Sequence, residues 1–337
     1  MLTNDPLLDY TVAIPAWGRG DYLREAVRSA LAQNYPPNLR WEVVVNDDAS
    51  DPPLSRYLQE FSGQVRYFRN ERNLGFAGNF RRTVELARGR WVHVLHCDDL
   101  VDPDYAGKVW QVIQSAENLG FVHALTGPVR RPPWLLRLVG RLVLGPRVNP
   151  DTKLPFELFA AGLEGARRVL RHGVRITTLV VRRDLVLGMD GYREEFNGVA
   201  DEEYVVRLAL AAHSAFIPAP MVRYRLHADQ LSRKIWLEPD FVEVYWRAHQ
   251  ANLEHLGSAV TEADEEAARR RVAGGAVSSA FAHLLAGQTE PARKILDRAK
   301  NLFPGIEQDR TCRLLALLLQ KPLLLWGFRF GKRLKLV

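Results

Sequence analysis

From Tyr10 onward, apolar positions along the chain follow two alternating rhythms. Short runs rich in β-branched residues give way to stretches in which apolar residues recur every three or four positions. The first kind of run suits a strand buried on both faces, and the second lines one face of a helix. TVAIP (11–15) reads as a buried strand and DYLREAVRSALAQ (21–33) as a helix with Asp21 as its N-cap. WEVVVN (41–46) is a second strand, after which a loop containing Pro52 and Pro53 leads into a helix over 54–61. VRYFRN (65–70) is a third strand, 76–88 a third helix stopped at Gly89, and WVHVL (91–95) a fourth strand. This β-α-β-α-β-α-β order predicts an α/β fold with a mostly parallel, doubly wound sheet and helices on both faces. Ligands bind such sheets outside the carboxyl ends of the strands.

The rest of the chain is less regular. FVHAL (121–125) and ITTLVVRR (176–183) are strand-like, and between them PPWLLRLVGRLVLGPR (132–147) is apolar, basic and bounded by prolines. A helix begins near Asp201, and YRLH (224–227) closes the region. From about Leu237 the pattern is all helical, and 273–304 predicts a helical hairpin turning at Gly287. Its small-residue and leucine spacing is that of one tetratricopeptide unit, and a single copy is packing rather than an array.

Composition adds limits. A chain of 337 residues, 47% hydrophobic and 25% charged, is an ordinary globular protein with a substantial core. Cys97 and Cys312 lie far apart without metal-type spacing, which argues for a reducing compartment over a disulfide scaffold. The stretch MLTNDPLLDY lacks the basic flank and apolar run of a signal peptide, and no run reaches the roughly 18 apolar residues of a membrane span. A cytoplasmic location is therefore expected. The net charge of +7 suits an acidic partner, whether nucleic acid, anionic lipid or a nucleotide diphosphate. Nucleic acid is disfavoured, because the basic residues are dispersed and no helix-turn-helix, zinc-finger or RNA-binding signature is present. The end of the chain, LLALLLQKPLLLWGFRFGKRLKLV (314–337), reads either as an anchor on the anionic inner face of a membrane or as a packed helix with a basic tail.

The candidate chemistry sits after the strands. In LHCDDLVDPD (95–104), two adjacent acids follow a buried strand; Asp98 suits a hard divalent cation and Asp99 a supporting or ribose-binding role, or both cap the next helix. In NDDAS (46–50), Asp47 or Asp48 can accept from a base or ribose, or simply shape the turn. In IPAWGRG (14–20), Trp17 can stack on a base and Arg19 meet phosphate, or Trp17 can pack on the following helix. The glycines there complete no G-x-G-x-x-G fingerprint, and no Walker lysine loop occurs. In DEEYVVRLAL (201–210), three acids crowd a helix start, where either capping or a general base explains them. In VRYRLH (222–227), a basic pair precedes His227, which is either structural, a metal ligand or a contact to a leaving diphosphate.

The order and spacing of these motifs are more telling than any one of them. IPAWGR, VVNDDAS, NLGFAGN (73–79) and ARGRWVHVLHCDDLVDPD resemble the N-terminal half of inverting glycosyltransferases of family 2, which have the GT-A fold. TTLVVRRDLVLGMDGYREEF (177–196), DEEYVVRLAL and VRYRLHADQLS (222–232) resemble the acceptor half of the same family, so the likeness spans roughly 10–232. It implies a GT-A domain over 1–236, with a nucleotide-binding half at about 10–105 and an acceptor half at about 106–236. A helical region over 237–337 with a basic apolar tail would follow.

By the same resemblance, Pro15, Ala16, Trp17, Arg19, Asp47 and Asp48 would hold the nucleotide, with Asn79, Arg82, His96 and Asp99 completing the donor site. Asp98 matches the last acid of the D-x-D element and would carry Mg²⁺ or Mn²⁺ on the diphosphate. Asp201 matches the catalytic base, and His227 matches a histidine that closes the site near the diphosphate and metal. The sequence departs from the family at three points: His96 replaces the first acid of D-x-D, Ala49 replaces the glycine of D-D-G-S, and Ala200 stands where a glutamate precedes the base. The implied reaction is inverting transfer from a nucleotide-diphosphate sugar to a glycan or lipid-linked acceptor in polysaccharide or glycolipid assembly, with the helical region available for a homodimer contact. One rival is a nucleotidyltransferase, which would need a glycine-rich triphosphate loop where only WGRG (17–20) is found. The other is a degenerate nucleotide-binding or scaffolding protein at the membrane surface.

Overall fold

The computed structural model describes residues 8–129, 156–227, 230–238 and 240–303, together with residues 306 and 313. The apolar segment 132–147 and the tail 314–337 lie outside the described residues. The described chain divides into two compact units. The first comprises 8–129, 156–194 and 204–225; the second comprises 195–203 and the described residues from 226 onward.

The first unit is built on a sheet of nine described strands. These are β1 (Leu8–Ala16), β2 (Trp41–Asp47), β3 (Val65–Arg69), β4 (Gly89–Val94), β5 (Leu100–Val101), β6 (Leu119–Pro128), β7 (Glu157–Phe159), β8 (Val180–Arg182) and β9 (His213–Tyr224). The order is β3-β2-β1-β4-β8-β6-β9-β5, with β7 also paired to β9. The four strands read from the first apolar runs, β3-β2-β1-β4, are all parallel. Beyond β4 the sheet becomes mixed: β8 runs antiparallel between β4 and β6, β6 and β9 are parallel, and β5 and β7 are antiparallel to β9. Val43, Val44 and Val45 are fully buried in succession, which requires cover on both faces of β2.

Helix α1 (Gly20–Leu31) packs Leu23, Ala26, Val27 and Ala30 inward, the three-and-four spacing legible in the sequence. It is preceded by Arg19 in a left-handed conformation (φ 48°), so Asp21 lies in the first turn and is not the cap. Helix α2 (Gly75–Leu86) ends before Gly89, which opens β4 instead of stopping the helix. A Cβ at Gly89 would stand 2.5 Å from the backbone nitrogen of Thr11, so the β1–β4 contact itself requires glycine there. The expected helix over 54–61 is two 3₁₀ turns, Leu54–Tyr57 and Gln59–Phe61. Pro52 and Pro53 fix the approach, the Asp47 carboxylate accepts the Leu54 N–H, and the backbone then closes in i→i+3 bonds, Leu58 N–H to Ser55 O and Phe61 N–H to Leu58 O. The run 176–183 likewise opens as a 3₁₀ turn (Ile176–Thr178), where the Thr178 hydroxyl bonds the Arg175 carbonyl, before β8 begins. Helices α3 (Tyr105–Ser115), α4 (Leu163–His172) and α5 (Arg183–Gly188) complete this unit.

Helix α6 (Ala200–Ala211) belongs to the second unit at its first turn and to the first unit thereafter. The second unit continues with α7 (Leu231–Trp236), α8 (Phe241–Leu256), α9 (Glu262–Ala286) and α10 (Thr289–Leu302). Helix α9 starts with a capping box between Thr261 and Asp264 and ends at Gly287 in a left-handed conformation (φ 87°), the turn expected from sequence. Ala268, Val272, Ala276, Ala280 and Leu284 of α9 and Ala292, Ile295, Leu296 and Ala299 of α10 are the buried stripes of this hairpin. No described helix is long and apolar enough to cross a membrane.

Candidate donor and metal site

The ends of β1, β2 and β4 bring three loops of the first unit together. Ala16 O accepts the Asp48 N–H (2.8 Å), and the Gly18 N–H is bound by Ser50 Oγ (2.9 Å), which ties the Trp17 loop to the Asp47 loop. Asp47 is fully buried: its Oδ1 accepts the Ser50 N–H (2.9 Å), and its Oδ2 accepts the Leu54 N–H (3.0 Å) and the Tyr67 hydroxyl (2.6 Å). Burial pushes this carboxyl up, but those donors outweigh it and hold the group below its ordinary value. Asp48 Oδ1 accepts from Asn70 Nδ2 and from the Leu74 N–H, both at 2.8 Å. Asn79, buried on α2, accepts from Asn46 (2.7 Å) and donates to Ala16 O (3.4 Å), so it braces both loops from beneath. Pro15, the last but one residue of β1, is in register with Asn46, and Trp17 stands 61% exposed at the rim. Arg19 lies over the Tyr22 ring at 5.9 Å. Arg82 is half-exposed on α2 and pairs with Glu85 (3.2 Å).

After β4 the chain turns sharply, with the Asp99 N–H bonded to His96 O (3.1 Å). This turn draws ligand atoms of His96, Asp98 and Asp99 within 4.8 Å of one another. It is the only such cluster among the described residues. Asp99 has no exposed side-chain surface; its Oδ1 accepts the Arg225 N–H (2.9 Å), while its Oδ2 has no hydrogen-bond partner and lies 3.9 Å from His96 Nδ1. Burial, reinforced by the charge of Asp98, pushes the Asp99 carboxyl up to about 7. Burial also lowers the basicity of His96, which favours the neutral imidazole that a metal requires. His96 Nε2 is a second buried atom without a partner.

The turn is held from outside by Arg225, just past β9. Its Nε donates to Asp98 O (2.9 Å), its Nη2 to Glu25 Oε2 of α1 (2.6 Å), and its guanidinium lies 4.4 Å from the centre of the Tyr22 ring. Thr177 supports the turn from the other side, its hydroxyl accepting the His96 N–H (3.3 Å).

Asp201 and His227 both belong to the second unit. Asp201 begins α6 with Glu202 and Glu203. Glu202 is paired with Arg271 (2.7 Å) and Tyr245 (3.2 Å), and Glu203, fully buried, with His255 (2.7 Å).

Residues 11–140 match the family described as "Glycosyl transferase family 2". Over this span the chain resembles that family. Among relatives, it is 34% identical over 119 residues to the succinoglycan biosynthesis protein ExoO of Rhizobium meliloti, covering 34% of this chain and 32% of that protein. The chain spans about a third of the length of most of the curated relatives that it matches. Two solved structures share the fold. TarS 1-349 of S. aureus, crystallised with UDP-GlcNAc, aligns with a TM-score of 0.56 at 14% identity over 89% of this chain and 92% of that one. The mannosyltransferase PcManGT of Pyrobaculum calidifontis, in complex with GDP-Man and Mn²⁺, aligns with a TM-score of 0.53 at 16% identity over 94% and 91%.

Two supports of the acidic turn have no signal in the local sequence. Arg225 was visible only as half of a basic pair, and Thr177 as part of a strand-like run. Their partners lie 127 and 81 positions away in the chain, so no local periodicity announces the contacts.

Proposed function

We propose that the protein transfers a sugar, with inversion, from a nucleotide-diphosphate donor to an acceptor hydroxyl, using Asp201 as general base. The observation that carries the metal part of this reading is the buried, unpartnered Asp99 Oδ2 beside His96 Nδ1, one residue from Asp98. Burying a carboxylate oxygen without a donor is costly unless a cation answers it. The donor set of two carboxylates and one imidazole fits a divalent ion, and the nitrogen ligand favours Mn²⁺ over Mg²⁺. A divalent ion held by His96, Asp98 and Asp99 would act as a Lewis acid on the donor diphosphate.

The chain's own groups do the rest. Trp17 offers an exposed face for the base, and the loops braced by Asp47, Asp48 and Asn79 present Pro15, Ala16 and backbone groups to the nucleoside. Arg19 and Arg82 supply positive charge where the diphosphate gathers negative charge. Asp201 takes the proton of the acceptor hydroxyl as its oxygen bonds to the anomeric carbon. The bond to the diphosphate oxygen breaks on the opposite face, which inverts the centre.

The donors held by TarS and PcManGT make UDP-GlcNAc and GDP-mannose the first to try. Likeness to ExoO favours polysaccharide assembly, with a glycan or lipid-linked acceptor at the inner face of a membrane reached by the basic tail. A GT-A domain over 1–236, a helical region beyond it and a dimer contact through that region belong to the same proposal. Asp201→Asn tests the base directly. With UDP-GlcNAc or GDP-mannose, Mn²⁺ and acceptor, kcat is expected to fall by on the order of 10³-fold with donor binding retained. Full transfer by the variant would remove Asp201 from the mechanism.

A further inference from the structure

We propose that the helical second unit positions the base: Arg271 of α9 and His255 of α8 clamp Glu202 and Glu203, and so fix the direction in which Asp201 is presented. The inference rests on the reading of Asp201 as base given above. Consecutive residues of a helix point about 100° apart, so Glu202 and Glu203 leave the first turn of α6 in different directions. Each ends on a different helix. Glu202 meets Arg271 through both carboxylate oxygens (2.7 and 3.0 Å to Nη2) and also accepts from the Tyr245 hydroxyl (3.2 Å). Glu203 meets His255 Nε2 at 2.7 Å. One such contact would leave the turn free to roll about its axis; two in different directions stop the roll and set the remaining side chain of that turn, Asp201.

The approach to this turn is equally constrained. A Cβ on Gly198 would fall 1.7 Å from Ile235 Cδ1 of α7, so the chain entering α6 runs directly against the same unit. Charge is also a costly way merely to fill space. The Glu202–Arg271 pair is partly buried (18% and 26% exposed), a setting in which an ion pair adds little stability over apolar packing while its bonds define a geometry. Arg271 further lies within electrostatic reach of Asp201 itself.

The test uses the full chain with Arg271→Gln, Arg271→Lys and Glu203→Gln, alongside Asp201→Asn. Release of UDP or GDP from UDP-GlcNAc and GDP-mannose is followed with Mn²⁺, and the Kd for each nucleotide is measured separately. For Arg271→Gln and Glu203→Gln we expect kcat to fall by roughly 10- to 100-fold while donor KM and nucleotide Kd change less than about twofold. Arg271→Lys should recover a large part of the lost kcat. If Arg271→Gln does not fold, the same division between kcat and KM in Glu203→Gln decides the matter. Wild-type kcat in a folded Arg271→Gln or Glu203→Gln, with Asp201→Asn inactive, would overturn the clamp and leave the base in place. Full activity in Asp201→Asn would instead remove the base on which the clamp depends.

Discussion

Asp47 and Asp99 are both fully buried acids, at the carboxyl end of β2 and past that of β4, the two strands that flank β1, and their surroundings give them opposite character. Asp47 receives three donors and is held ionised, whereas Asp99 Oδ2 receives none and its carboxyl is raised to about 7. Asp47 therefore shapes the loop that carries Ser50, and Asp99 supplies an unsatisfied ligand atom. For Asp47 the folded value lies below the unfolded one, so its stabilisation is present above the unfolded pKa of about 3.9 and is lost as pH falls through the folded value. Replacing it by Asn turns one acceptor into a donor facing the Leu54 N–H or the Tyr67 hydroxyl. We expect Asp47→Asn to cost about 2–3 kcal/mol at pH 7, and urea unfolding followed from pH 7 to 3 should show the difference from wild type shrinking towards the acid end. A constant difference across that range would mean that the charge of Asp47 contributes nothing. Sequence alone marks both acids as residues after strands; which of them is satisfied depends on Tyr67, Leu54 and Arg225, fixed only by the fold.

Elements follow the same division between local and distant causes. Strands β1 to β4 and helices α1 and α2 were legible because their periodicity is a property of consecutive residues. The segment 54–61 reads as one helix but forms two 3₁₀ turns that break at Leu58, anchored at Leu54 by Asp47, a partner outside the window. The mixed half of the sheet was less legible, since β5 and β7 are two and three residues long and exist only by pairing with β9. Two adjacent glycines in α9 test the packing of the second unit. A Cβ at Gly274 meets nothing within 4 Å, whereas one at Gly275 falls 2.6 Å from the Tyr245 ring. Helix propensity alone would make alanine stabilising at both, by about 0.5–1 kcal/mol. We expect that gain for Gly274→Ala, and a loss of about 1–3 kcal/mol for Gly275→Ala, read from thermal melts of each variant. Equal gains at both positions would contradict the close approach of α8 and α9. Tyr245 also bonds Glu202, so this contact bears on the clamp as well as on stability.

At the scale of the whole molecule, the family likeness was legible from the order of motifs more than from any one of them, because each turn-forming acid or loop tryptophan has a purely local explanation. Four loops must follow four strands at set intervals to build one donor site, and that order is what a family likeness registers. The sequence also showed His96 in place of an acid, and the structure places its Nδ1 3.9 Å from Asp99 Oδ2. The central claim is therefore a metal-dependent nucleotide site at the end of β4. It is tested most directly by thermal stabilisation of wild-type and Asp98→Asn protein by UDP and GDP, with Mn²⁺ and with EDTA. At saturating nucleotide the account predicts that one of the two raises the wild-type Tm by about 5 °C or more with Mn²⁺, with little shift in EDTA or in Asp98→Asn. Equal stabilisation with and without metal, or none with either nucleotide in folded protein, would contradict it.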